Sequence, residues 1–318
     1  MLYDRYGRPV TNLRITVTHR CNYRCFYCHM EGESGFEEIT VDEVARLVRI
    51  ASRLGINKVK LTGGEPLVRE DIVELVKAID EVKPSDLAMT TNGSLLKGLA
   101  SKLVDAGLRR VNVSLPSLKR EVFSRITGVD MLDMVMEGLL EAKNSGLSPI
   151  KLNTVVLRGL NDGELWDLME FARRHDFILQ LIELEPIGVE DEFYESYHSP
   201  LDDVEKWLEE NAVDVEVRRL MHNRKQYDLG GVRVELVKPV NNPEFCMHCT
   251  RLRVTADGKL KPCLMRNDNL VDVVSVMRRG ASDDDIVKLF EKAIELREPY
   301  FKKEGVCERC RASEFRIC

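Results

Sequence analysis

The chain has 318 residues, of which 44% are hydrophobic and 31% charged, so it can bury a large core beneath a well-solvated surface. Its net charge of −6 argues against a general nucleic-acid or membrane binder, because either function would need a basic excess. The amino-terminal stretch does not read as a signal peptide, and no apolar run approaches the roughly 18 residues that a membrane span requires. We therefore expect a cytoplasmic protein with no nucleic-acid or membrane partner.

Strand-like and helix-like patterns alternate from residue 13 to about residue 186. Strands are predicted at residues 13–18, 58–62, 87–91, 110–114, 150–156 and 177–184, and helices at residues 41–54, 72–81, 95–106, 131–145 and 163–175. Strands separated by helices of this length indicate βαβ units and a parallel sheet. We expect an α/β fold in which residues 1–186 form an incomplete (β/α)6 TIM-like barrel, with its chemistry at the carboxyl ends of the strands.

The alternation stops near residue 187, in an acidic and aromatic loop. Its charged segment Glu190-Asp191-Glu192 is interpreted as solvated surface. Beyond it the sequence predicts a helix at residues 201–211, strands at 213–219 and 232–237, a hairpin turning at Asp257-Gly258, and a helix at 282–297 with Ser282 as its N-cap. We expect residues 187–318 to form a C-terminal extension that packs on the barrel.

The nine cysteines fall into three groups of three. The first triplet is Cys21, Cys25 and Cys28, the second is Cys246, Cys249 and Cys263, and the third is Cys307, Cys310 and Cys318. In the cytosol thiols stay reduced, so grouped cysteines indicate metal sites more often than disulfides.

The first triplet has the spacing C-x3-C-x2-C on one short loop. Three thiolates can hold three corners of a [4Fe–4S] cluster and leave one iron free to chelate S-adenosylmethionine (SAM). Tyr27, directly before the third cysteine, could cover the cluster and pack against adenine. The alternative is a zinc knuckle that uses His19 or His29 as its fourth ligand.

The second triplet has the spacing C-x2-C-x13-C, which again leaves a cluster one ligand short. Arg251 and Arg253 follow the first two cysteines, and on an extended strand both side chains would point to one face and could bind a triphosphate. The alternatives are a zinc ribbon that uses His248, and an ordinary solvated edge for the two arginines.

The string C-x3-C-x-Y-C resembles the radical SAM superfamily, and the resemblance covers nearly all of residues 10–265. Three further segments match what this superfamily places around SAM: Thr62-Gly63-Gly64-Glu65-Pro66, Thr91-Asn92-Gly93 and Ser114-Leu115. The resemblance implies that bare backbone at Gly64 binds the SAM amino group and that the hydroxyl of Ser114 reaches SAM.

Taken together, the first two triplets and the arginine pair resemble the GTP 3′,8-cyclase family, which opens molybdopterin synthesis. The positions that match the family's GTP contacts are Arg14, Lys60, Thr90, Lys151, Arg251, Leu252 and Arg253. The resemblance implies that the open iron of a second [4Fe–4S] cluster binds the guanine of GTP. It also implies reductive cleavage of SAM, removal of hydrogen from ribose C3′ by the 5′-deoxyadenosyl radical, and addition of the C3′ radical to guanine C8.

The same resemblance implies partners: an electron donor of unknown identity, a downstream pterin synthase and a second copy of the chain in a homodimer. The sequence departs from the family at three places. Gln180 and Glu185 stand where Arg and Met are usual, and the sequence ends Arg316-Ile317-Cys318 where many relatives end Gly-Gly.

Two other functions fit parts of the pattern. One is a radical SAM enzyme that modifies a peptide or protein, although such enzymes usually have more cysteines around their auxiliary clusters. The other is a zinc-stabilised binding module on an inactive barrel. For the third triplet a metal site, a disulfide and unpaired thiols all stay open, and we expect it to stabilise the extension without a role in catalysis.

Overall fold

The computed structural model describes residues 2–29, 37–187 and 190–301, so the predictions about Cys307, Cys310 and Cys318 and about the end of the sequence lie outside the described residues. The strands are β1 (Leu2–Tyr3), β2 (Pro9–Val10), β3 (Asn12–Thr16), β4 (Lys58–Thr62), β5 (Asp86–Thr91), β6 (Arg110–Ser114), β7 (Ile150–Val156), β8 (Ile178–Glu183), β9 (Asp214–Arg218), β10 (Arg224–Asp228), β11 (Arg233–Val237), β12 (Arg251–Val254), β13 (Lys259–Lys261) and β14 (Val271–Asp272). The α-helices are α1 (Val41–Arg53), α2 (Ile72–Asp80), α3 (Ala100–Asp105), α4 (Arg120–Thr127), α5 (Leu132–Asn144), α6 (Leu165–His175), α7 (Asp191–Tyr197), α8 (Asp202–Asn211), α9 (Pro243–Met247), α10 (Val274–Arg278) and α11 (Asp283–Glu295).

The predicted α/β alternation with a mostly parallel sheet is confirmed. Strands β3 to β8 all pair in parallel with their neighbours, and their bounds lie within two residues of the predicted ones. Helix α1 shows why the predicted helices form: the Thr40 hydroxyl accepts from the Glu43 amide and the Glu43 carboxylate accepts from the Thr40 amide, which closes a capping box. None of the helices in the described ranges is long and apolar enough to cross a membrane.

The C-terminal strands continue the same sheet at both edges. The strand order is β14-β13-β12-β3-β4-β5-β6-β7-β8-β11-β10-β9. Strand β12 pairs in parallel with β3, and β11 pairs in parallel with β8, so the parallel part of the sheet runs from β12 to β11. Residues from the predicted extension therefore share one sheet with the predicted barrel.

The two ends of this sheet approach each other. The turn between β9 and β10 hydrogen-bonds to the segment before β12: His222 N donates to His248 O (3.2 Å), and Thr250 Oγ1 donates to Leu220 O (3.1 Å). Strands β12 and β10 stand near opposite ends of the strand order, so these contacts require the sheet to curve. We call this contact between residues 219–224 and 248–251 the seam.

Side chains alternate between the two faces of the strands. On β4, Val59 and Leu61 are buried in the hydrophobic core, and Lys60 between them points to the opposite, concave face. On β6, Val111 and Val113 join the same core, while Asn112 between them lies on the concave face. The apolar side chains of these strands therefore pack in the hydrophobic core, and the polar side chains between them line the concave face of the sheet.

Some local predictions are confirmed and others are wrong. Strands β12 and β13 form the hairpin predicted at Asp257-Gly258, and Ser282 caps α11 through the Asp285 amide. Helix α3 begins five residues later than predicted because Gly98 adopts a left-handed φ of +81°, which a helix does not accept. The acidic segment at residues 190–192 is exposed as expected, but it begins helix α7 instead of lying in a loop. Helix α4 and strand β10 are absent from the prediction.

A buried ionic network joins the N-terminus, the segment after α11 and the loop of the second cysteine triplet. Arg297 is fully buried, and its guanidinium lies 3.0 Å from the Asp4 carboxylate and donates to the carbonyl oxygens of Arg8 and Cys249. Arg8 also pairs with Asp4 (2.8 Å) and donates to Cys246 O (2.9 Å). The network fixes the backbone of two cysteines of the second triplet.

Replacing Arg297 with Met should lower the free energy of unfolding by about 3–5 kcal/mol, because it removes one partner from a buried, hydrogen-bonded charge network. Urea denaturation of the anaerobic holoprotein would measure the change. Arg278→Met is the matched control: Arg278 pairs with Glu37 and Glu43 at the surface, and its loss should cost no more than about 1 kcal/mol. Equal losses in the two variants would contradict the role given to Arg297.

Candidate active site

A cavity of about 350 Å³ opens at the carboxyl ends of the parallel strands, inside the curve of the sheet. The cysteines of both the first and the second triplet line it. Every predicted site residue lines it except Leu252, which lies in the hydrophobic core on the other face of β12. The fold therefore brings together residues that are as far apart in sequence as Arg14 and Cys263.

The loop of the first triplet is held by residues that follow β5. Asn92 Nδ2 donates to Asn22 Oδ1 (2.7 Å), and Asn22 Nδ2 donates to Ser94 Oγ (3.0 Å). On the other side, the Arg24 amide donates to Thr127 O at the end of α4 (2.9 Å). The segment Thr91-Asn92-Gly93, matched to the surroundings of SAM in the sequence, thus fixes the position of the cysteine loop.

The glycines after β4 allow a close backbone approach. A Cβ atom on Gly64 would lie 2.3 Å from Arg20 O, and one on Gly63 would lie 2.5 Å from Thr18 O. Gly64 N donates to Thr18 O (2.8 Å), so this turn packs directly against the backbone that leads into Cys21. Only glycine fits at such a distance. That Gly64 also binds SAM stays a prediction.

Glu65, the next residue, links the ends of β4 and β5. Its buried carboxylate accepts from Leu67 N (3.0 Å), Thr91 Oγ1 (2.7 Å) and Asn92 N (2.6 Å). Burial raises the pKa of Glu65 to about 7, even though these hydrogen bonds favour the charged form. Sequence analysis gave Glu65 no role of its own. Its position directly after the Gly63-Gly64 pair was the signal that could have indicated one.

The second triplet lies in a more positive environment. Cys249 is surrounded by Arg297, Arg8 and Arg251, and although burial alone would raise its pKa, these arginines lower it to about 7. A lowered pKa favours the thiolate, which is the form that binds metals. By contrast, burial raises the pKa of Cys25 in the first triplet to about 12.

Both triplets offer the donor set that iron–sulfur clusters use, three cysteine thiols facing one cavity. In the described ranges, no group of three or more His, Cys, Asp or Glu side chains is arranged to hold a metal ion. In a [4Fe–4S] cluster the cysteines bind different irons, so they need not converge on one ion. Of the histidines considered as zinc ligands, His29 lines the cavity, whereas His19 pairs with Glu38 (3.2 Å) and the ring of His248 contacts Glu244 O (2.9 Å).

Three basic residues lie side by side across neighbouring strands. Arg253 on β12 is in register with Arg14 on β3, which is in register with Lys60 on β4. Lys60 donates to Asn112 Oδ1 (2.9 Å), and burial, together with the nearby Arg110 and Arg14, lowers its pKa well below the usual range. A bound polyanion would reverse that effect, because it would stabilise the protonated amine.

A buried carboxylate, Glu235, organises the opposite side of the cavity. It accepts from Lys151 and Arg218, and also from the amides of Gln180 (2.8 Å) and Gln226 (2.7 Å). Although burial alone would raise its pKa, Arg224, Lys151 and Arg218 lower it to about 2. The side-chain amide of Gln180 is thus engaged by a protein carboxylate.

Sequence analysis missed several residues that line the cavity: Asn112, Asn153, His222 and Arg224. Asn112 carried a usable signal, since a polar residue stood between two valines on a predicted strand. His222 and Arg224 carried none, because they lie at the seam, which long-range contacts create. Glu185, the other departure from the family, lines the cavity, and its Oε2 is buried without a hydrogen-bond partner among the described residues.

Comparisons with known proteins agree with the resemblance seen in the sequence. Residues 15–172 match the Radical SAM superfamily, and residues 177–303 match the family Molybdenum Cofactor Synthesis C. A protein of Thermococcus kodakarensis called "Probable GTP 3′,8-cyclase" is 59% identical over 95% of this chain and 100% of its own length. Proteins with the same name from Pyrococcus abyssi (95% of this chain, 100% of theirs) and Methanothermobacter thermautotrophicus (94% and 98%) are 50% and 45% identical.

Solved structures share the fold at low sequence identity. Native anSMEcpe with bound AdoMet superposes with a TM-score of 0.66 at 16% identity, over 94% of this chain and 86% of that one. Streptococcus suis SuiB bound to its precursor peptide SuiA gives 0.63 at 15% identity, over 93% of this chain and 66% of that one. These likenesses concern the fold alone.

The relatives and the second family match favour the cyclase interpretation over a peptide-modifying enzyme or a zinc-stabilised binding module. The relatives also span nearly the whole chain, from the first cysteine loop to the second. The chain therefore belongs to the GTP 3′,8-cyclase family of the radical SAM superfamily.

Proposed function

We propose that the chain converts GTP into (8S)-3′,8-cyclo-7,8-dihydroguanosine 5′-triphosphate, the first step of molybdopterin (molybdenum cofactor) biosynthesis. The observation that carries this proposal is one cavity lined by both cysteine triplets and by buried cations. Such a cavity can hold a radical-generating cofactor at one triplet and an anionic nucleotide beside the other. The relatives called "Probable GTP 3′,8-cyclase" support the same substrate.

The cofactors of the proposed enzyme are SAM and two [4Fe–4S] clusters. Cys21, Cys25 and Cys28 would hold one cluster, and Cys246, Cys249 and Cys263 would hold the other. When bound, the clusters and SAM supply the electron-transfer and radical chemistry of the reaction. SAM would contact Tyr27, Gly64 and Ser114, all of which line the same cavity as the first triplet.

The basic residues on the cavity wall would bind and orient GTP. Arg14, Lys60 and Arg253 are adjacent in register, so they offer a row of positive groups to a triphosphate. Lys151, Thr90 and Arg251 complete the proposed set of contacts. Fixing the phosphates on rigid strands would hold the ribose in one position between the triplets and keep water from it.

The finer description of the fold and the partners also belongs to this proposal. The six adjacent parallel strands β3 to β8 support an incomplete TIM-like barrel over residues 1–186. The pairing of β11 and β12 with the two edges of these strands supports residues 187–318 as the part that carries the second cluster. An electron donor, a downstream pterin synthase and a homodimer stay predictions from the family resemblance.

The direct test is anaerobic incubation of the reconstituted protein with GTP, SAM and dithionite. We expect 5′-deoxyadenosine together with a cyclised nucleotide of unchanged phosphate content, both followed by liquid chromatography and mass spectrometry. ATP in place of GTP is the control for the base. Formation of 5′-deoxyadenosine with a peptide substrate and none with GTP would contradict the proposal.

Cys25→Ala should abolish SAM cleavage, because the first triplet would lose one ligand to the cluster that would supply the electron to SAM. The second triplet should keep its cluster, so the iron content should fall to about four atoms per chain from about eight. Chromatographic measurement of 5′-deoxyadenosine and an iron assay check both points. Undiminished 5′-deoxyadenosine in this variant would show that the first triplet is not the SAM site.

Arg251→Ala or Arg253→Ala should weaken GTP binding by about 1.5–3 kcal/mol, the typical loss when a hydrogen bond to a charged group is removed. SAM binding should barely change. Anaerobic equilibrium dialysis would measure both ligands, with Arg233→Ala, an exposed residue at the start of β11, as the matched control. Unaltered GTP affinity in both variants would place the triphosphate elsewhere.

A further inference from the structure

Arg224 is a buried cation on the cavity wall that the sequence did not reveal. It is the first residue of β10, and the residue is only 7% exposed. Gln226, two residues later on the same strand, points to the same side and donates to Glu235. Arg224 and Gln226 therefore face the inside of the curved sheet.

The guanidinium of Arg224 is fixed by the protein before any ligand arrives. Its Nε donates to Met221 O (3.0 Å), and Nη1 lies 3.5 Å from Glu235 Oε2. The turn that precedes it, with left-handed φ angles at His222 (65°) and Asn223 (55°), is tied to the loop of the second triplet through the seam. The position of Arg224 relative to Cys249 is therefore set by backbone contacts.

Arg224 also faces basic residues from the other end of the strand order. Arg224, Arg251 and Arg14 line the same cavity, and Arg224 lies close enough to the other two for their positive charges to repel each other. Arg251 and Arg253 belong to β12, whereas Arg224 belongs to β10, so the cations meet across the seam. Like charges in a buried site are unfavourable unless an anion joins them.

His222 marks the place where this anion would lie. The residue is 5% exposed, it lines the cavity, and its Nδ1 is buried with no hydrogen-bond partner among the described residues. Arg251, Arg224 and Arg253 all lie close enough to the imidazole for their charges to disfavour its protonation. The Nε atom of Arg253 is also buried with no hydrogen-bond partner among the described residues. Buried polar groups normally find partners, so these nitrogens point to a polar ligand.

We propose that Arg224 is a further substrate-binding residue, which contacts the phosphate chain of GTP from β10 while Arg251 and Arg253 contact it from β12. This inference rests on the proposed function. The phosphate chain then bridges the two ends of the sheet, and Glu235 acts as a positioning residue that holds the guanidinium of Arg224 and the amine of Lys151 toward the cavity.

The test compares the reconstituted wild-type holoprotein with Arg224→Gln, Arg224→Lys and Arg218→Gln. Arg218 also contacts Glu235, but it does not line the cavity, so Arg218→Gln controls for the loss of a charge near that carboxylate. Anaerobic equilibrium dialysis gives the Kd values for GTP, guanosine and SAM. Iron content and thermal unfolding show whether each variant is folded and loaded.

Arg224→Gln should raise the Kd for GTP about 10- to 100-fold, the loss expected for a charge-assisted hydrogen bond, while the Kd values for guanosine and SAM change less than about 3-fold. Arg224→Lys should fall between wild type and Arg224→Gln, because lysine keeps the charge but not the planar fork. Arg218→Gln should change the Kd for GTP less than about 3-fold.

Wild-type affinity for GTP in Arg224→Gln would overturn the inference. So would an equal loss for GTP and guanosine, because it would mean that Arg224 only supports the turn at residues 221–223. If Arg224→Gln does not fold, the ratio of GTP to guanosine affinity in Arg224→Lys decides the question in the same way. A wild-type protein that binds no GTP would instead refute the proposed function, and this inference with it.

Discussion

Positive charge buried inside the curved sheet is the constraint on which the rest of the structure depends. Removing a cation from water costs several kcal/mol unless an anion or hydrogen-bond acceptor replaces the solvent. Glu235 provides that replacement for Lys151, Arg218 and Arg224, and Asn112 accepts from Lys60. Arg14, Arg251 and Arg253 line the same cavity. A polyanion bound there would replace the solvent that these cations lose.

This constraint explains why the cavity is built from both halves of the chain. Residues 12–172 supply β3 to β7 and the first triplet, while residues 177–303 supply β8, the strands at both edges of the sheet and the second triplet. The seam and the buried network of Asp4, Arg8 and Arg297 bring the second triplet to the carboxyl ends of the parallel strands. Neither half alone encloses the cavity.

The structural neighbours share the fold of this chain, but this likeness concerns the fold alone and not the side chains that line the cavity. At 15–16% identity, anSMEcpe and SuiB share the sheet and its helices with this chain. The row Arg253, Arg14 and Lys60 depends on which side chains occupy the concave positions of that sheet, and fold likeness does not dictate these. Family membership at 45–59% identity is therefore the stronger support for the proposed substrate.

The sequence by itself determined the features that depend on local spacing. The spacing of apolar residues predicted the bounds of β3 to β8 to within two residues, and the cysteine spacings identified three segments that line the cavity, around residues 21–28, 246–249 and 263. The tightly packed glycine pair before Glu65 was also visible as a motif. Each of these features is visible in the residue types of one continuous stretch of sequence.

Only the tertiary structure decided which charges are buried. In the sequence, Glu235 lies on a short predicted strand and Arg224 lies in a charged segment with no predicted element, so nothing there indicates that either is buried. Their burial follows from the pairing of β11 with β8 and from the seam, and the Lys151–Glu235 contact spans 84 residues. Pairings over such distances depend on how the whole chain closes, because the surface they bury does not exist until the sheet has curved.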